Sequence, residues 1–478
     1  MGIATVAVYS DIDKTALHVK RADESIHIGG NQPSDSYLNI DKILEAAKST
    51  GADALHPGYG FLSENSKLIQ KCEDEGIIFI GPKVSAVEIL GSKTTSRDAM
   101  KKAGVPIVPG IESIKDGFDE EALYSTVEKI GYPVMVKAAD GGGGKGMRKV
   151  DNKDGLLEAI SSAKRESQKA FGSDDVFIEK FVENPRHIEI QIACDKLGNA
   201  VHFFERECSI QRRHQKIIEE APSPFLDQEK RMSMGKDAIK AVQSVEYDSV
   251  GTVEFLADDN GNYYFLEVNT RIQVEHPVSE MITGHDLIEE QIRIAQGEAL
   301  SVKQSDLFIN GHSIECRIYA EDGDHGFVPS VGKIVKLQIP EGKSIRFDAG
   351  IEENTIISPY YDPIMGKLIV KGDSRVEAIE TMQKCLEDFT LFGVKTSIGF
   401  MHRVLGHPEF KKGNISTSFL QQYENDLELN PQIKAAAAAA IISDISKKDQ
   451  NQSNEVEHNH VDHYDAWNSI KEFRMGRA

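Results

Sequence analysis

Apolar and polar positions along the chain follow two rhythms. In residues 1 to 91, short apolar runs alternate with stretches of helical spacing. "TVAVYS" (5–10) reads as a strand, and as a core strand from its first residues. "YLNIDKILEAAKSTG" (37–51) places Ile40, Ile43, Leu44 and Ala47 on one helix face, with Gly51 as the stop. "IIFIGP" (77–82) is a continuous apolar run, as expected of a buried parallel strand. Strand and helix in turn imply an open α/β sheet.

From residue 92 to about 300 period-two patterns dominate. "YPVMVKAA" (132–139) is a strand running into "DGGGGKG", and "MRKV" (147–150) returns from it. "DGLLEAISSAKRESQKAFG" (154–172) is an amphipathic helix. "DVFIEKFV", "RHIEIQIACD" and "AVHFFERECSI" read as strands. "GTVEFLADDNGNYYFLEVN" (251–269) reads as a hairpin around Asp-Asn-Gly-Asn. This is an α+β pattern. Residues 308 to 424 again read mostly as strands, followed by two helices. From 425 to 478 the composition turns to alanine and then to polar residues, which predicts a linker and the cut beginning of a further region around Trp467.

With 478 residues, there is room for several domains. The formal charge of -21 argues against a nucleic-acid backbone as partner. Five cysteines without a CxxC pair fit neither a disulfide framework nor a zinc site. No apolar run approaches the roughly 20 residues of a membrane helix, and no secretory signal is visible.

The glycine loop, Gly141 to Gly146, invites three phosphate-binding readings. The Walker pattern fails, because Met147 and Arg148 stand where Ser or Thr should follow. A dinucleotide fingerprint should open a helix, but "MRKV" reads as strand. A strand–loop–strand flap over nucleotide phosphates fits the flanks; the plainer alternative is a flexible hinge.

A second segment is "FLEVNTRIQVEHP" (265–277). If extended, it sets Glu267, Asn269, Arg271, Gln273 and Glu275 on one face, and Leu266, Val268, Ile272 and Val274 on the other. Glu267 and Asn269, with Glu254 across the hairpin, offer hard oxygen ligands suited to Mg²⁺. Arg271 offers a fork for an oxyanion. Glu275 suits general-base work.

Together these stretches resemble the biotin carboxylase component of biotin-dependent acyl-CoA carboxylases. The resemblance covers about residues 1 to 424. It rests on "HPGYGFLSEN" (56–65), "FIGP" (79–82), "KAADGGGGKGM" (137–147), "EKFVENPRHIEIQ" (179–191), "ERECSIQRRHQKIIEEAP" (205–222), "FLEVNTRIQVEHPVSE" (265–280), "ECRIYAED" (315–322) and "YYDPIMGKLI" (360–369). It implies an ATP-grasp fold (92–300) between a Rossmann-like domain (1–91) and a C-terminal domain (308–424). It further implies that Lys93, Lys137, Gly143 and Gly144 meet the ATP phosphates. Glu179, Lys180, Phe181 and Val182 would form the adenine hinge, with His187, His214, Met147 and Leu256 completing the nucleotide site. Glu254, Glu267 and Asn269 would hold Mg²⁺ or Mn²⁺. Bicarbonate would sit on Lys216, Arg271, Gln273 and the Val274 backbone with Glu275 as base. Arg346 would stabilise the biotin enolate, and Tyr59 would line the biotin pocket.

The implied reaction carboxylates biotin with bicarbonate and ATP through carboxyphosphate. The implied partners are a biotin carrier, a carboxyltransferase and further copies of the chain, in a bacterial cytoplasm or a mitochondrial matrix. Two departures stand out. The first strand and helix of the family pattern are expected to be missing. No biotinyl-lysine motif is present either, since "AMKK" (99–102) has Lys102 where Met should follow. A truncated, non-catalytic fragment or assembly subunit is therefore the alternative reading.

Overall fold

The computed structural model describes residues 1–111, 114, 117–138, 147–171 and 175–429. Residues Met1–Leu427 form one compact unit.

The N-terminal part carries two short parallel pairs. β1 (Val6–Ser10) lies beside β2 (Glu24–Gly29), and β3 (Ala54–Leu55) beside β4 (Ile78–Phe79). The helix Ile40–Thr50 forms where its spacing predicts. The Asn39 side chain caps the Lys42 amide, and Gly51 ends the helix at φ +66°. The local core is Leu44, Leu62, Leu68, Ile69, Cys72, Ile77, Phe79 and Val87. Two expectations change. β1 is a strand, but only its last residue, Ser10, is buried. The "IIFIGP" run pairs in parallel through Ile78 and Phe79 alone, and Ile78 is exposed.

A four-stranded antiparallel sheet follows, in the order β5-β8-β6-β7. Its strands are β5 (Gly110–Ile111), β6 (Val134–Ala138), β7 (Met147–Val150) and β8 (Val176–Lys180). Helices Glu120–Ile130 and Leu156–Phe171 belong to the same layer, and Val127, Val134, Val136, Leu156, Ile160 and Ile178 make its core. β6 and β7 pair antiparallel on either side of the glycine loop, with Lys137 opposite Met147. The two flanks are thus strands, as their sequence predicts, and residues 139–146 lie outside the described residues.

The largest element is an eight-stranded antiparallel sheet, in the order β13-β12-β9-β10-β11-β14-β21-β19. Its strands are β9 (Arg186–Cys194), β10 (Ala200–Arg212), β11 (Gln215–Ala221), β12 (Val250–Ala257), β13 (Tyr263–Asn269), β14 (His312–Tyr319), β19 (Ile345–Ala349) and β21 (Ile364–Gly372). Smaller ribbons pair β15 (Glu321–Asp322) with β16 (Val328–Pro329), β17 (Gly332–Lys333) with β20 (Ile356–Ile357), and β18 (Lys336–Gln338) with β22 (Thr390–Phe392). The large sheet runs without a break from residues of the 92–300 stretch into those of the 308–424 stretch.

Period-two alternation explains what this sheet positions. Ile188, Ile190, Ile192, Val253 and Phe255 pack with Met234, Ala238 and Ala241 of the helix Gln228–Gln243. Ile314, Cys316, Ile318, Leu368 and Val370 pack with Ile379, Met382, Met401 and Val404 of the helices Arg375–Asp388 and Ile398–Gly406. The intervening residues point to the opposite face. There the strands carry His187, Glu189, Gln191, Arg206, Glu254, Glu315 and Arg317, all buried. The helix His276–Thr283 packs across β10, β11, β14 and β21.

Cys72, Cys194, Cys208, Cys316 and Cys385 are free and buried. Among the described residues no helix is long and apolar enough to cross a membrane.

Candidate active site

The polar face of the large sheet gathers around Lys216, near the start of β11. Its ammonium donates to Glu189 at 2.6 Å, Glu254 at 2.9 Å and Glu275 at 2.7 Å. Burial works against that charge, but the three carboxylates outweigh it and raise the ammonium well above its usual range. Arg206 is wholly buried beside it. Its guanidinium donates to Glu189, Gln191, Ser279, Thr252 and Gln273, so all five N–H groups have acceptors.

Glu275 lies at the turn into the helix His276–Thr283. One oxygen takes Lys216, and the other takes Arg317 Nη2 at 2.9 Å. Burial alone would lift this carboxyl; Lys216 and Arg317 overcome it and hold Glu275 well below the usual carboxylate range. Arg317 also donates from Nε to Glu219 at 2.6 Å. Burial pushes Glu219 up to about 7, against the pull of Arg317.

The expected metal ligands meet across the β12–β13 hairpin. Asp258 shapes its turn, accepting from the Asn260 and Asn262 amides, and Gly261 takes φ +80°. Glu254 stands opposite Glu267, and Thr252 opposite Asn269. Asn269 Nδ2 donates to Glu254 at 2.8 Å. Glu254 also accepts from His187 at 2.9 Å and from Gln273 at 2.9 Å. Burial opposes the imidazolium of His187, but Glu254 prevails and raises it. Glu267 lines the accessible edge; the packed wall around it, and then the facing Glu254, lift its carboxyl. Two facing carboxylates and an amide oxygen are a hard donor set that a dication would satisfy, so the residues present fit Mg²⁺. His187, Glu189 and Glu254 also bring ligand atoms within 4.8 Å of one another, but the Lys216 ammonium already bonds two of that trio.

The segment after Asn269 differs from the extended reading. β13 ends there; the chain leaves the strand at residue 270, bends at Arg271 and turns at residues 274–275 into the helix. The polar groups still converge, by bending instead of by alternation. Arg271 reaches Asn269 and Glu64, and Thr270 also donates to Glu64. Gln273 is spent on Glu254 and Arg206.

The nucleotide residues expected on the smaller sheet form their own group. Glu179 on β8 takes Lys137 at 2.5 Å and Arg97 at 3.0 Å. Lys180 donates to the Gly131 and Tyr132 carbonyls, and the Phe181 amide to Pro133. Val182 follows, half-buried. Met147 is exposed opposite Lys137, and Leu256 pairs with His187 across β12 and β9. Lys93 opens the helix Lys93–Ala103. Gly143 and Gly144 lie outside the described residues. His214 is exposed in the β10–β11 turn, where Arg213 and His214 both have positive φ.

Arg346 lies apart from the Glu275 group. Its guanidinium binds Glu280 at 2.6 Å and Asp348 at 2.7 and 2.8 Å, and it is not among the groups bonded to Glu275. Arg317 holds that place. The sequence reading passed over Arg317, although it lies inside a quoted motif. The available signal was Glu315 and Arg317 alternating with Ile314, Cys316 and Ile318, since charges amid such a run must face something polar. Glu189 and Glu64 were passed over likewise. Tyr59 lies half-exposed, its ring centre 5.8 Å from the Lys367 ammonium.

Comparisons with known proteins bear on the family and the fold. Three family descriptions match: "Biotin carboxylase, N-terminal domain" over residues 1–87, "Carbamoyl-phosphate synthase L chain, ATP binding domain" over 92–303, and "Biotin carboxylase C-terminal domain" over 315–422. A biotin carboxylase of Nostoc sp. is 51% identical over 422 residues, covering 88% of this chain and 94% of the relative. The mitochondrial methylcrotonoyl-CoA carboxylase subunit alpha of Mus musculus is 48% identical, covering 89% of this chain and 59% of the relative. Among solved structures, the biotin carboxylase domain of Hydrogenobacter thermophilus 2-oxoglutarate carboxylase, a dimer with MgADP, ADP and bicarbonate, is similar with a TM-score of 0.81 at 46% identity. It covers 90% of this chain and 94% of that one. The Campylobacter jejuni biotin carboxylase–β-γ-ATP complex is similar with a TM-score of 0.80 at 45% identity, covering 88% and 94%.

Proposed function

The chain belongs to the biotin carboxylase family, and on that premise we propose how its residues divide the work of that reaction. The reaction is the ATP- and Mg-dependent carboxylation of biotin by bicarbonate, with biotin presented on a carrier. The observation that carries the assignment is Glu275, with one oxygen on Lys216 and the other on Arg317, at the end of the Arg271–Val274 segment.

Bicarbonate is seated by Arg271, Lys216 and the Val274 backbone, beside the Glu275 carboxylate. In the ligand-free arrangement two cations hold Glu275 ionised, which also makes it a weak proton acceptor. Bicarbonate entering on Lys216 and Arg271 draws positive charge away from Glu275, so its basicity rises as the substrate arrives. Glu275 takes the bicarbonate proton, and the freed oxygen attacks the γ-phosphoryl of ATP to give carboxyphosphate and ADP. Lys137 and Lys93, with the glycine loop, position the phosphates. Glu254, Glu267 and Asn269 would hold Mg²⁺, which when bound would supply charge neutralisation at the phosphates. Carboxyphosphate then yields CO₂ and phosphate, phosphate takes the ureido proton of biotin, and the nitrogen attacks CO₂. We assign the cation facing the biotin enolate to Arg317 in place of Arg346. Arg317 is buried and bonded to Glu275 itself, whereas the partners of Arg346 are Glu280 and Asp348, away from the base.

The partners that fit are a biotin carrier, a carboxyltransferase and a second copy of the chain. We place the enzyme in a bacterial cytoplasm, with a mitochondrial matrix as the second setting.

The test is biotin-stimulated ATP cleavage with saturating bicarbonate. Glu275→Gln should fold and lose about 10²- to 10⁴-fold in kcat, the usual worth of a general base. Full activity in that variant would overturn the assignment.

A further inference from the structure

Lys367 and Glu315 lie on adjacent strands of the large sheet, and the reaction as described uses neither. β14 and β21 run antiparallel, with Arg317 opposite Lys367 and Glu315 opposite Ile369. On its other side Glu315 faces Glu219 of β11. The Lys367 side chain is only 5% exposed, and the one carboxylate within 4.0 Å of its ammonium among the described residues is Asp348, at that limit. Its hydrogen bond goes to the backbone carbonyl of Val274. Glu315 is wholly buried, and neither of its oxygens has a hydrogen-bond partner among the described residues. A buried ammonium has thus settled on a peptide carbonyl while a carboxyl one strand away stands unpaired. An ionised carboxylate left so would carry a desolvation cost of several kcal/mol, whereas a protonated one is tolerated.

We propose that Lys367 is a positioning residue for bicarbonate, its ammonium fixing the Val274 peptide, and that a proton carried by Glu315 keeps this ammonium from being drawn away. The inference rests on the reading of Arg271 to Glu275 as the bicarbonate segment.

The charges around the pair favour this arrangement. Glu315 is faced by Glu219 from β11, Arg317 on its own strand, Lys367 from β21 and Glu275 from the turn before the helix. Tyr59 approaches from the N-terminal part. Lys367 is faced by Arg346 and Asp348 of β19 and by His276; Glu280 neutralises Arg346. Burial outweighs the attraction of Lys367, Glu219 and Glu275 add to it, and the Glu315 carboxyl lies well above the usual range. Once Glu315 ionises, its negative charge competes with the Val274 carbonyl for the ammonium, and the peptide loses its anchor.

The experiment uses the full chain, ATP cleavage stimulated by free biotin, and varied bicarbonate. Lys367→Met should raise the bicarbonate KM about ten-fold or more, the worth of a hydrogen bond from a charged donor, and leave the ATP KM within about two-fold. The parent should show an alkaline rise in bicarbonate KM, and Glu315→Gln should match it within about two-fold at pH 7 and lose that rise. Arg271→Met separates the two levels of the argument. If it leaves the bicarbonate KM unchanged, the bicarbonate segment itself is misread. If it raises that KM while Lys367→Met does not, only the inference falls. Should Lys367→Met not fold, Glu315→Gln decides. Failure to fold, a ten-fold or greater loss at pH 7, or an unchanged alkaline rise would each overturn the proton on Glu315.

Discussion

Glu179 in the four-stranded sheet and Glu275 on the eight-stranded sheet are built alike. Each carries one cation per oxygen: Arg97 and Lys137 on Glu179, Lys216 and Arg317 on Glu275. Their settings differ. The Glu179 side chain is 13% exposed and Lys137 is 31% exposed, whereas Glu275 is 2% exposed. Near the surface, such a pair opens at small cost, and a lysine can be handed to an arriving phosphate. In the interior, the same geometry is a committed network in which removing one member strands the others. On the proposed roles, the smaller sheet is suited to exchange partners on nucleotide binding. The larger one is suited to keep a base ionised and aimed.

The largest effect that tests this contrast is Arg317→Met. It leaves Glu219 and Glu275 each short of a buried cation and should cost about 3–5 kcal/mol in denaturant unfolding. A loss no larger than that of Arg97→Met would erase the distinction between the sheets.

A smaller effect lies in pH. Burial lifts the Glu219 carboxyl to about 7 in the folded chain, above its ordinary 4.5. Between those values the native state holds a proton that the unfolded state has lost, so this group favours folding below pH 4.5 and withdraws that support as pH rises through 7. Glu219→Gln should therefore flatten the fall in stability over that window. An unchanged slope would mean that Glu219 is ionised throughout.

The smallest effect is Glu179→Gln, which should shift stability by no more than about 1 kcal/mol and weaken ATP binding more than folding. A melting-point loss comparable to that of Arg317→Met would show that the smaller sheet depends on its ion pairs as much as the larger one does.

Much of this was legible in the residues. Helices with a clear stripe and a side-chain cap, such as Ile40–Thr50, formed where spacing and Gly51 put them. The hairpin at Asp258 followed from its turn residues. The 265–275 stretch misled in shape but not in content. Its alternation is real as far as Asn269; beyond that the chain turns, because Thr270 and Arg271 are pulled onto Glu64, some two hundred residues upstream. No local pattern announces such a partner. Arg317 and Glu315 were missed because a charge inside an apolar strand gives no sign of which neighbouring strand will answer it. The partner of Arg346 is hidden in the same way: Glu280 comes from a distant helix.

The register of the large sheet carries one more consequence. Glu219, Arg317 and Lys367 stand on three consecutive strands, β11, β14 and β21, whose mutual spacing is set by backbone hydrogen bonds at about 4.8 Å per strand. These charged groups are thus graduated along a ruler made of main chain, and side-chain chemistry has little say in their separation. Inserting one residue midway along any of these strands would turn every later side chain to the opposite face, driving the charges into the aliphatic layer and the isoleucines into the site. Such a lesion would alter no catalytic residue, yet it should be harder to tolerate than the loss of one.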